Sequence, residues 1–173
     1  MLYIIYIELH LSNMKGGGEM AFREKVAWIS LLATLGVWGW YFTLLALGLA
    51  AGGEAFGAVA GRFVVAVGLL VAIVVAAAVT LAIQTPREAD APADARERDF
   101  ALQGYRAGYF TLSALVVVVM LFAPLIVHVG PALLRGTPAE VTAILLGNGI
   151  LFALVLAEAV QWTVQLYRFR VGG

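Results

Sequence analysis

Apolar residues run through this chain in four long blocks, at about 27–51, 58–83, 105–129 and 139–167, with short polar breaks between them. Each block reaches the ~20 residues that a helix needs to cross ~30 Å of hydrocarbon. None alternates as the strands of a barrel would, and a backbone in lipid must satisfy its polar groups within the segment. The pattern predicts an all-α integral membrane protein, a bundle of four transmembrane helices.

Helix signals sit at the block edges. Thr137-Pro138-Ala139-Glu140 offers Thr as N-cap, Pro at the first helical position and Glu two residues beyond it, a capping box that opens the fourth helix. Asp94-Ala95-Arg96-Glu97 repeats the logic. The third helix is therefore expected to start near Asp94, ahead of its apolar block, as an amphipathic, charged stem of about three turns. Pro124 is expected to kink that helix by removing one backbone hydrogen bond. Gly52-Gly53 and Gly130-Pro131 are expected to mark turns.

The basic residues orient the bundle. Lys15, Arg23 and Lys25 precede the first block, Arg87, Arg96, Arg98 and Arg106 fall between the second and third, and Arg168 and Arg170 follow the fourth. The other side has only Arg62 and Arg135. Positive charge stays inside, so both termini and the 84–104 loop are expected to be cytoplasmic. Trp28, Tyr105, Tyr109, Trp162 and Tyr167 then fall at the inner interface, as an aromatic belt would.

Composition narrows the chemistry. The chain is 62% hydrophobic and 13% charged with zero formal net charge, against about 25% charged in a soluble domain. Nothing in that balance suggests a nucleic-acid partner. With no cysteine, disulfides, thiolate catalysis, Cys-ligated zinc, iron–sulfur clusters and c-type haem are excluded. His10 and His128 are too isolated to act as a ligand pair. No phosphate-binding loop and no nucleophile–base set is present. The expectation is a protein without catalytic residues, metal or cofactor.

The first 19 residues stand apart from the single domain expected over 20–173. Met20 is followed by its own basic lead-in to the first block, and Lys15-Gly16-Gly17-Gly18-Glu19 can be encoded by a sequence resembling a bacterial ribosome-binding site. Residues 1–19 are therefore expected to be a translated leader, or else an interfacial segment. The first block is too long for a cleaved signal core and carries Trp38, Trp40 and Tyr41.

Among the eleven acidic residues only Glu158 lies deep within an apolar block. It is ten residues before Arg168, about 15 Å along a helix, which predicts a position near the bilayer midplane. A carboxylate there costs roughly 2.5–3.5 kcal/mol and should face other helices, a cavity or a partner. Gln161 and Gln165 continue a polar stripe on the same side, and Asn148 extends it loosely outward. Two readings stay open: a functional site, either proton-titrating or cation-binding in a transport path or a polar ligand pocket, or a protonated Glu that fixes packing. Arg62 is expected to snorkel. Arg106, with Tyr105, is a candidate lipid-headgroup contact or a reach toward Gln165. Gly104 and Gly108, like Gly57 and Gly61, form small-xxx-small steps that suit close helix packing or a homodimer seam.

Three segments together carry a resemblance: Phe22-Arg-Glu-Lys-Val-Ala-Trp-Ile-Ser-Leu31, then Glu97-Arg98-Asp99 running into Gly104-Tyr-Arg-Ala-Gly-Tyr109, and Gln165-Leu-Tyr-Arg-Phe-Arg170. Over 20–173 the chain resembles small, uncharacterised four-helix bacterial inner-membrane proteins, a family of unknown function. Such proteins are often encoded beside small helix-turn-helix regulators, which implies a sensing, immunity or stress role. The expected function is a structural or regulatory membrane module that binds lipid, a protein partner or a second copy of itself. The alternative is an oligomeric proton-coupled transporter or channel subunit built on Glu158.

Overall fold

The computed structural model describes residues 22–86, 94–133 and 137–171. Residues 1–19, the expected leader, lie outside the described residues. Four helices are present: α1 (Phe22–Ala50), α2 (Phe56–Gln84), α3 (Ala95–Leu133) and α4 (Pro138–Val171). All four are long and apolar enough to cross a membrane, and no strand occurs among the described residues.

Both expected capping boxes form. The Glu97 amide donates to Asp94 Oδ1 at 2.6 Å while the Asp94 amide donates to Glu97 Oε2 at 3.2 Å. At α4 the Glu140 amide donates to Thr137 Oγ1 at 3.4 Å, and the Thr137 amide donates to Glu140 Oε2 at 3.1 Å. These bonds satisfy amides that the first turn leaves without partners, so each helix begins where its box stands. Gly52 and Gly53 turn α1 into α2 with φ of 100° and 112°, a left-handed backbone that side chains disfavour. The other expected turn is corrected. Gly130 and Pro131 stay within α3, which runs to Leu133. Pro131 removes one N–H near the end of the helix, where the loss is small. Gly130 serves packing: a Cβ there would stand 2.9 Å from Leu145 Cδ1 and 3.5 Å from Val141 Cγ1.

The helices pack laterally in the order α2, α1, α4, α3, with α2 also touching α4 lightly. The inner pair, α1 and α4, holds most of the buried side chains, whereas α2 and α3 bury almost none of their apolar stretch. One core, toward the hairpin end, joins Trp38, Tyr41 and Leu45 to Val59 and Ala66 of α2 and to Ile144 and Val155 of α4. A smaller one, toward the basic end, joins Ala27 and Leu31 to Ala159 and Leu166, with Trp28 and Trp162 against it.

The seam between α3 and α4 is built differently. α4 meets glycines of α3 through Val141 and Leu145, then Ala157, Gln161 and Gln165, while its own Gly149 takes Val119. The α4 side recurs every four residues, a ridge that suits close packing of two helix surfaces.

The amphipathic stem expected at 94–104 is continuous with α3, and one side of it is docked. Its face at Glu97, Phe100, Ala101 and Gly104 turns inward. Glu97 pairs with Arg23 of α1 at 3.1 Å, and Phe100 is buried edge-on against Phe169 of α4 with centroids 5.4 Å apart. Apolar and small residues three and four apart give the stem this docking face.

A candidate polar site on the fourth helix

α1 and α4 run antiparallel, and one hydrogen bond fixes their register. Tyr41 Oη donates to Asn148 Oδ1 at 2.7 Å, and Asn148 Nδ2 donates to the Ile144 carbonyl at 2.8 Å. Ten residues toward the basic end, Leu31 of α1 comes level with Glu158 of α4, consistent with Leu31 packing in one cluster with Ala159 and Trp162. Leu31 is only six residues from Lys25, about 9 Å. Glu158 thus stands closer to the basic end than its distance from Arg168 along α4 suggests.

Helix geometry answers which way Glu158 faces. Val155, Ala159, Trp162 and Leu166 meet α1 on one side of it. Ala157, Gln161 and Gln165 meet α3 on the other. At ~100° per residue Glu158 falls between the two groups, on the side of α4 shared by α1 and α3. The side chain is half-buried and accepts a bond from Trp162 Nε1 at 3.4 Å, one turn on. Level with it on α1 are Ser30 and Thr34, 5% and 1% exposed. Sequence inspection passed over these two. Their spacing of four along α1, within an otherwise apolar block, was the signal available.

The stripe divides. Gln161 and Gln165 lie with Glu158 toward the basic end, both against α3. A Cβ at Gly104 would meet the Gln161 carbonyl oxygen at 2.8 Å, and one at Gly108 would meet Gln161 Cβ at 3.1 Å. Gln165 is 9% exposed. Asn148 does not join them. It is engaged by Tyr41 near the hairpin end, ten residues away, and lines a largely apolar groove of about 360 Å³ with Phe63 and Gly147 between α2 and α4. A wheel of α4 alone could not anticipate that partner on another helix.

Arg62 stands in an ion pair with Glu54, which follows the Gly52-Gly53 turn. Gly48 leaves space for this carboxylate, since a Cβ there would overlap it. Arg106 does not reach toward Gln165. It is exposed, about 200° around α3 from Gly104, with Tyr105 exposed beside it. No group of His, Asp and Glu that could hold a metal ion occurs among the described residues.

Comparison with family models, with curated proteins and with solved structures finds no match.

Proposed function

We propose that this chain is a multi-pass protein of a bacterial inner membrane that works as a structural or regulatory module, binding lipid or a protein partner at its cytoplasmic, basic end. The termini and the 84–104 loop lie on that side because nine of the eleven basic residues gather there. The observation that carries the reading is the docked stem. α3 extends beyond its apolar block, and the Arg23–Glu97 pair and the Phe100–Phe169 contact fix it against α1 and α4. Such a stem presents a preorganised face, with Leu102 and Arg106 outward.

Photo-crosslinking in intact cells tests the proposal. A crosslinker at Leu102 should give a defined adduct, lipid or protein, while one at Met120, on the exposed apolar face of α3, gives only bulk lipid. Identical products from both positions would overturn the module reading. Because the chain lacks cysteine, single cysteines at Arg98 and Gly57 report orientation by their reaction with an impermeant thiol reagent.

The second reading is proton-coupled movement through Glu158. The placement of this acid between α1 and α3, level with Ser30 and Thr34, favours it. Glu158→Gln keeps the shape and removes the titrating proton. A transporter loses pH-driven flux in proteoliposomes while staying folded. A variant that only melts at lower temperature marks Glu158 as a packing residue.

A further inference from the structure

At the basic end the stem of α3 closes over a crevice of about 320 Å³ between the start of α1 and the end of α4. Its walls are apolar, formed by Val26, Ala101 and the ring of Trp162. Its floor is Gln165, which is 9% exposed and whose amide has no hydrogen-bond partner among the described residues. The amide is open to the crevice, so a polar group of an occupant can pair with it. The rim carries the Arg23–Glu97 pair and, beside it, Arg98, which makes no ion pair among the described residues. Arg98 thus brings a cationic group to the mouth of the crevice.

We infer that this crevice binds the headgroup of an anionic phospholipid. Arg98 meets the phosphate charge, the Gln165 amide donates to a phosphate or ester oxygen, and the glycerol and first methylenes lie along Val26, Ala101 and Trp162. A free phosphate compound would use the rim and leave the apolar walls idle. The crevice also lies where the apolar blocks give way to basic residues, the level at which headgroups stand, and basic pockets between helices on that face suit them. The inference rests on the module reading above and names the ligand and its residues.

The test uses the full chain, purified in detergent and titrated with phosphatidylglycerol or phosphatidylcholine under native mass spectrometry. The wild type should retain phosphatidylglycerol preferentially. Arg98→Gln should weaken that retention about fivefold, the worth of one basic side chain near an anionic surface. Gln165→Leu should weaken it comparably, and Arg106→Gln, on the outer side of α3, should not. Equal binding of the two lipids by the wild type overturns the inference, as does an Arg106→Gln loss matching that of Arg98→Gln. Glycerol phosphate should compete poorly. Competition as strong as the lipid's would overturn the lipid assignment. Arg98 is exposed, so its variant keeps the test valid even where Gln165→Leu fails to fold. Loss of the lipid preference with the Leu102 adduct intact removes this site alone. Loss of the adduct with the preference intact removes the module reading's own support.

Discussion

Two glycine steps of the same spacing meet opposite fates in this protein. Gly104 and Gly108 lie in the α3–α4 seam, where added Cβ atoms would come within 2.8 Å and 3.0 Å of the Gln161 and Ala157 carbonyl oxygens. Gly57 and Gly61 of α2 have nothing within 4 Å. Both are exposed, and they lie roughly opposite Val59 and Ala66, the residues α2 buries. A small-xxx-small step permits two backbones to approach but does not create the approach. What distinguishes α3 is its partner. α4 sets a row of contacts every four residues against it, with Ala157 and Gln161 at the point where the glycines lie.

The largest effect should follow from filling the occupied step. Gly108→Leu places a branched side chain against the backbone of Ala157, which cannot swing aside as a flexible side chain can. The expected cost is about 3 kcal/mol or more, at the upper end for overpacking, seen as a large fall in melting temperature in detergent. A variant that melts like the wild type would show that α3 and α4 do not approach as closely as described, and the contrast between the two steps would collapse.

A smaller effect separates close backbone packing from a seam made by side chains. Tyr41→Phe removes the donor to Asn148 Oδ1 but keeps the ring in its cluster with Trp38 and Phe42. A loss of about 1 kcal/mol is expected, typical of one interhelical hydrogen bond in a membrane protein. A cost as large as that of Gly108→Leu would mean that the register of α1 on α4, and with it the level of Glu158, hangs on this single bond.

Helix positions were legible in the sequence because they depend on local features. Block length, the Thr137–Glu140 and Asp94–Glu97 boxes and the Gly52-Gly53 turn each act within a few residues. Pairing was not legible in the same way. Asn148 looked like an extension of the Glu158 stripe because a single wheel cannot display Tyr41, 107 residues away. Arg62 looked like a lone snorkelling cation because the turn that brings Glu54 beside it folds in three dimensions. An acid next to a Gly-Gly turn, eight residues ahead of a basic residue, was the available clue. The stem's two-sided character was legible, but not that Phe100 docks on Phe169, which belongs to another helix. In an apolar chain nearly every face can be buried, so hydrophobicity marks the helices without ranking their faces. Rare polar and small residues carry that information, and their meaning depends on the neighbour.

The open step should respond least, and its sign is informative. Gly61→Ala adds a methyl where nothing lies within 4 Å, and alanine relieves the helix of the roughly 1 kcal/mol that glycine costs it in water. The chain as a single copy should therefore melt at the same temperature or slightly higher, and Gly57→Ala should behave alike. Both variants should also keep the size of the wild type in detergent. A drop in stability together with a smaller particle would mean that a second copy covers this face of α2. The two glycine steps would then differ only in whether their partner belongs to the same chain.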